Sequence, residues 1–209
     1  RLRLFESMCS RYEINGTFDE VVLRFDISAG AQMIETFGRM AEVRPTNRVP
    51  VITGPGQVTS LSWGLKVDWD NKPIINARSE TLSEKPTFQP LLENRCLIPA
   101  TAYFEWRKDG KLKIKTRIEP NKGALVGMAG LIDGDTFTVI TCQPSPSIAH
   151  IHNRMPVILD QADEAAWLAP DNAFTDVAKL LAPYPDDQLQ AEEVAPTAPK
   201  PSKQGDLFK

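Results

Sequence analysis

The chain has 209 residues, a net charge of −3 and three cysteines, a size that suits one sizeable core with a tail. No apolar run approaches the roughly eighteen residues of a spanning helix, and no apolar leader precedes the fold, so a soluble, cytoplasmic protein is expected. An odd cysteine count without paired spacing argues against a disulfide framework and a thiolate zinc site. The mild contrast between a basic first half and an acidic second half does not by itself announce nucleic acid.

In chain order, Thr17 stands three residues ahead of Glu20 in "GTFDEVVLRF", a capping-box pattern that predicts a short helix from Phe18 to Phe25. Residues 28–47 read as loop plus a helical turn. The period then changes to two: "VPVIT", "QVTSLSW", "PIINA", "RCLIPA", "AYFEWR", "KLKIKTRI", "ALVGMAGLI" and "TFTVIT" read as strands between turn signals. Asp109-Gly110 predicts a hairpin. "QADEAAWL" and "FTDVAKLL" read as two late helices. Consecutive strands with few helices predict an α+β fold with a curved, largely antiparallel sheet. From Pro183 onward the composition turns to Pro, Asp, Gln, Lys and Ser, and reads as a tail that cannot order itself.

Cys9 is the first candidate for chemistry. A thiol reacts as thiolate, and one at an ordinary pKa is mostly protonated at neutral pH. If Met8 were the start and were removed, Cys9 would present an amine beside its thiol, a pair that condenses with aldehydes to a thiazolidine ring. The alternative is an incidental cysteine in a loose leader. Cys96 and Cys142 sit in apolar strand patterns and read as core. His150 and His152 in "AHIHNRMP" lack partners at metal-ligand spacing, so no metal site is expected. They suit acid/base work, or else one is buried and one solvated.

Alternation puts Glu105 on the face of Tyr103, with Phe104 and Trp106 on the other. An inward Glu105 would be a desolvated base, and an outward one ordinary surface. Asn76, in "PIINARSET", either satisfies backbone groups or points at a substrate oxygen, and Arg78 shares its face. "GKLKIKTRI" places Lys111, Lys113, Lys115 and Arg117 on one wet face, as a phosphate-binding surface or as protection of an outer strand.

Taken together, "MCSR", "RPTNRVPV", "SWGL", "INARSET", "FEW" and "HNRMPVIL", in that order and spacing, resemble the SOS-response-associated peptidase family, whose members cross-link themselves to abasic sites in single-stranded DNA. The resemblance runs from Met8 to Val194. Ser10 and Ala102 stand where the family usually has glycine, and Thr46 where an aromatic is common. What the resemblance implies is a strongly bent sheet forming a pseudo-barrel with peripheral helices, acting without cofactor. Cys9 would be the N-terminal nucleophile trapping the abasic aldehyde as a thiazolidine, Asn76 a hydrogen-bond donor to sugar or backbone, Glu105 the base for the amine, and His152 the acid/base. Arg11 and Arg78 would seat phosphates, while Asn47, Trp63 and Trp106 would line or support the groove. Self-cleavage ahead of Cys9 and some strand cleavage from an unclosed Schiff base are further implied activities. The competing readings are a cysteine peptidase or amidohydrolase pairing Cys9 with His152, and a non-catalytic binder of modified nucleic acid.

The expected organisation is an N-terminal extension over residues 1–7, one domain over 8–194 and a flexible tail over 195–209. Within the tail, Gln204, Leu207 and Phe208 of "KQGDLFK" resemble the peptide by which bacterial repair proteins dock on the sliding clamp. A nucleoid-associated monomer is expected.

Overall fold

The structure is a computed structural model, and it describes residues 9–28 and 38–195. β1 (Arg11–Ile14) leads into α1 (Phe18–Arg24), then β2 (Met40–Val43), β3 (Arg48–Gly54), β4 (Gln57–Trp63), β5 (Leu65–Val67), β6 (Asp70–Ile74) and β7 (Asn76–Arg78). After two 3-10 turns come β8 (Arg95–Ala100), β9 (Ala102–Asp109), β10 (Leu112–Pro120), β11 (Val126–Asp133), β12 (Thr136–Cys142), β13 (Met155–Pro156) and β14 (Ile158–Leu159). The helices α2 (Gln161–Leu168) and α3 (Phe174–Val177) and the last strand β15 (Leu189–Glu193) complete the fold.

Five strands close on themselves: β12 pairs β4, β4 pairs β3, β3 pairs β8, β8 pairs β11, and β11 returns to β12. Closure removes exposed strand edges from this part of the fold. A second, five-stranded antiparallel sheet runs β15-β10-β9-β1-β2. The two share one nearly continuous stretch, because β8 and β9 are separated only by Thr101. There the chain passes from barrel to sheet. The Thr101 N–H donates to the Glu13 carbonyl at 2.8 Å, and its hydroxyl accepts from the Asn15 N–H at 3.0 Å, satisfying polar groups that the bend frees from ladder pairing. The expectation of a strongly bent, largely antiparallel sheet forming a pseudo-barrel with short peripheral helices therefore holds.

The capping box of α1 is formed: the Thr17 hydroxyl accepts from the Glu20 N–H, and the Glu20 carboxylate accepts from the Thr17 N–H at 2.6 Å. The Asp109-Gly110 hairpin joins β9 to β10, with Gly110 at φ +57°, a conformation that favours glycine. Cys96 and Cys142 are buried in the core as expected.

The reading of the chain from Pro183 onward as tail does not survive. Tyr184 is buried, and β15 pairs with β10 from Thr116↔Glu193 to Pro120↔Leu189. This strand is polar because both its faces are largely wet, so its order comes from ladder hydrogen bonds and not from burial. β10 is accordingly an outer strand only over Leu112–Ile114, since the Lys115 carbonyl already accepts from the Val194 N–H at 2.8 Å. Part of the stretch read as loop and helical turn, residues 29–37, lies outside the described residues, and its C-terminal end forms β2.

Candidate active site

The register of β1 on β9 builds the site. Arg11 pairs Phe104 and Tyr12 pairs Tyr103, so the residues just upstream, Cys9 and Ser10, lie level with Glu105 and Trp106. The Cys9 N–H donates to Glu105 Oε1 at 2.7 Å. β7 supplies the second tether. It runs parallel to β12, with Asn76 opposite Val139, and Asn76 Nδ2 donates to the Cys9 carbonyl at 3.3 Å. Cys9 is thus gripped through its backbone by a carboxylate on one side and an amide on the other.

The Glu105 question resolves inward: the residue is 1% exposed. Burial pushes its carboxyl up to about 8, against the opposing pull of the Cys9 and Trp106 N–H groups. A carboxyl poised near neutrality is suited to exchange a proton with a nearby group. The Cys9 thiol is held well above its ordinary value, first by burial and second by the neighbouring Glu105 charge.

His152 completes the cluster. Its Nδ1 lies 3.7 Å from Glu105 Oε1 and 3.2 Å from both the N–H and the carbonyl oxygen of Arg154. The segment that carries it is pinned from two directions. Arg154 is buried and makes a two-pronged ion pair with Glu80, at 2.6 and 2.8 Å, while also donating to the Thr141 carbonyl at 2.6 Å. "NARSET" and "HNRMP" are therefore bonded to each other. Upstream, the Ser145 hydroxyl donates to the Tyr184 carbonyl at 2.6 Å and the Ser147 N–H to Asp186 at 2.7 Å. Residues first read as tail thus hold the histidine loop.

Around this cluster opens a cavity of about 570 Å³, lined by Ser10, Arg11, Glu105, Trp106, Lys108, Lys113 and the segment 149–153. Arg11 leans on Glu42, which also pairs with Arg44 and Lys115, so three cations share one carboxylate and the mouth keeps a positive excess. His150 is exposed on the cavity wall, whereas His152 is mostly covered. Lys108 and Lys113 face each other across the hairpin. Sequence reasoning saw the lysine alternation of β10 but not its mirror in β9, although the hairpin register pairs the two.

The remaining expected groove residues are distributed differently. Arg78 is exposed at the end of β7, two residues from Asn76, and lies outside the cavity lining. Asn47 closes a turn, its side chain accepting from the Arg44 N–H at 2.9 Å. Trp63 is fully buried; it packs edge-on to Tyr12, stacks on Phe137, and donates to the Ile75 carbonyl at 2.9 Å. Its place is beneath the site, not on its wall.

Residues 8–201 match the family described as SOS response associated peptidase (SRAP). The chain belongs to the SRAP family. It is 36% identical over 208 residues to the abasic site processing protein YoaM of Bacillus subtilis, covering 90% of this chain and 91% of that protein. It is 37% identical to YoqW of the same organism, with 90% and 92% covered. Among solved structures, a Bacteroides thetaiotaomicron protein superposes with a TM-score of 0.79 at 28% identity, over 90% of this chain and 92% of the other. A Bordetella bronchiseptica protein gives 0.76 at 26%, over 90% and 100%. The bent-sheet architecture is thus shared with experimentally solved proteins. Among the described residues no helix is long and apolar enough to cross a membrane.

Proposed function

We propose that this SRAP protein processes abasic sites in DNA, as the names of its relatives describe for them. In this reading it captures the lesion covalently through Cys9. An abasic deoxyribose exposes an aldehyde on ring opening. With its amine free, Cys9 condenses with that aldehyde to a Schiff base, and attack by its thiol closes a thiazolidine, shielding the lesion. Glu105 takes the proton from the amine, His152 shuttles protons during ring opening and dehydration, and Asn76 holds the Cys9 carbonyl. Arg11, Trp106 and the two lysines of the cavity wall receive the strand through its phosphates and stacked bases.

The observation that carries this reading is the 2.7 Å contact from the Cys9 nitrogen to Glu105. The carboxylate is aimed at nitrogen, where an amine nucleophile needs its base, whereas a cysteine hydrolase needs a base on sulfur. The chemistry demands that the Met8–Cys9 bond be broken. Cys9 is held at φ +26°, a strained value for a residue with a side chain, and that angle exists only while the bond does. Self-cleavage driven by the same residues, some strand cleavage from a Schiff base left open, and docking of Gln204, Leu207 and Phe208 on the sliding clamp belong to the same proposal.

The test uses single-stranded oligonucleotides with and without one abasic site on a denaturing gel. An upshift confined to the abasic strand and lost in Cys9→Ala is expected. An equal shift with intact DNA, or none with either, refutes the reading. Removing residues 204–209 is expected to abolish clamp co-elution and leave cross-linking intact.

A further inference from the structure

Beneath Cys9 lie two phenols to which the reaction described so far gives no part. Tyr12 and Tyr103 sit directly opposite each other across β1 and β9, 0% and 1% exposed. Neither hydroxyl has a hydrogen-bond partner among the described residues. A buried hydroxyl without a partner costs about 1–3 kcal/mol, so two side by side are unfavourable for stability, and phenylalanine would pack the same space without that cost. Such groups call for an explanation, and their position supplies one. Tyr12 follows Cys9 by three residues, and Tyr103 shares a strand face with Glu105.

The groups around them are few. Cys9 and Glu105 lie above, Cys9 and Cys96 act electrostatically on Tyr12, and Cys9, Glu105 and Cys142 act on Tyr103. Burial first, and these neighbouring charges second, keep both phenols protonated, so each is a donor and neither is a base. The Cys9 sulfur has the complementary need. It is fully buried, and the carboxylate beside it repels negative charge on sulfur.

We propose that the Tyr12 and Tyr103 hydroxyls are the hydrogen-bond donors that receive the Cys9 sulfur as it becomes a thiolate during ring closure. The inference rests on the cross-linking function proposed above. In that step the thiol proton passes to the imidazole of His152, which lies 3.7 Å from Glu105 and already shuttles protons in the earlier steps, and the Glu105 carboxylate keeps its charge. The sulfur forms a bond to the former aldehyde carbon, and the electron pair of the C=N bond moves to nitrogen and neutralises the iminium. The tyrosines donate hydrogen bonds and transfer no proton, so atoms and charges balance among thiol, iminium and imidazole, which leaves the step as imidazolium. Their contribution is electrostatic: buried dipoles available to a charge that develops only in the transition state.

The reaction has two separable readouts. Borohydride traps the Schiff base, whereas the closed ring survives denaturation without it. The full chain with Cys9 processed is compared with Tyr12→Phe, Tyr103→Phe and the double variant, on an oligonucleotide bearing one abasic site. Borohydride trapping within about twofold of the parent, with ring closure slowed about tenfold or more in the double variant, is expected. Thermal stability is expected to be unchanged or raised, because each substitution deletes an unpartnered buried hydroxyl. Closure at the parental rate overturns the proposal. So does an equal fall in trapping and closure, which indicates a packing role, or a marked loss of stability, which indicates that the hydroxyls have structural partners. If the parent yields neither product, the failure lies in the cross-linking reading itself.

Discussion

Replacing Glu80 with glutamine isolates the bond between the two sequence motifs that frame the site. Arg154 is 5% exposed and spends two of its nitrogens on Glu80, while the Glu80 side chain is 43% exposed. Glutamine keeps the size but can accept only one of the two guanidinium bonds, and it leaves a buried cation facing a neutral amide. Breaking a fully buried pair costs about 3–5 kcal/mol. Because water reaches the Glu80 side, about 2–3 kcal/mol is expected, the range of one charge-assisted bond. For a chain of this length that lowers Tm by roughly 5–10 °C. The pH dependence carries a further check. Hydrogen bonds from Arg154 chiefly hold the Glu80 carboxyl below its ordinary value of 4.5. Its contribution is therefore complete above that value and disappears as pH falls through the lowered folded value. Calorimetric melts of Glu80→Gln should show the full deficit at pH 7 and a vanishing one in acid. A variant melting with the parent at neutral pH, or a deficit that persists unchanged in acid, refutes the reasoning.

Glu105→Gln is expected to abolish cross-linking while retaining the contact with the Cys9 nitrogen, read on the same denaturing gel. Its stability effect has the opposite sign: with the carboxyl at about 8 in the fold against an ordinary 4.5, the parent loses stability as pH rises between those values, so the variant should gain on it across that window, the gain being complete above pH 8. Gly130→Ala should cost about 1–3 kcal/mol in denaturant melts, since a Cβ there would stand 2.5 Å from Ile98 Cδ1 and 2.7 Å from the Thr138 carbonyl oxygen, inside the closed barrel. Replacing Lys108 and Lys113 with alanine should weaken binding to any single strand, with log affinity falling less steeply with log salt by roughly 0.7 for each phosphate no longer neutralised; an unchanged slope in filter binding counts against their role.

Much of the architecture was legible because local rules agree with the fold. Period-two runs became β3, β4 and β8 to β12, the Thr17–Glu20 box capped its helix, and Asp109-Gly110 turned its hairpin. The misses have a common cause. β15 lacks apolar alternation because both its faces are largely wet, and β1 is only four residues long; both are specified by partners distant in sequence. Within the site, residue chemistry nominated Cys9, Asn76, Glu105 and the two histidines, the resemblance chose His152 of the pair, and the structure brings Cys9, Asn76, Glu105 and His152 together. The family resemblance left Trp63 either lining or supporting the groove, and only its packing against Tyr12 in the core separates the two.

What the sequence by itself determined is the inventory: one thiol near the N-terminus, a carboxylate among aromatics, an amide after two isoleucines and two histidines, on strands set by alternation and turn residues. Only the tertiary structure decided how these groups act on one another. Strand parity allowed Glu105 to face either way. The barrel behind β9 buries it, and the β1 register sets the Cys9 nitrogen against it. Desolvation and proximity, which make an ordinary carboxyl a base near neutrality, are properties of packed neighbours and have no counterpart along the chain.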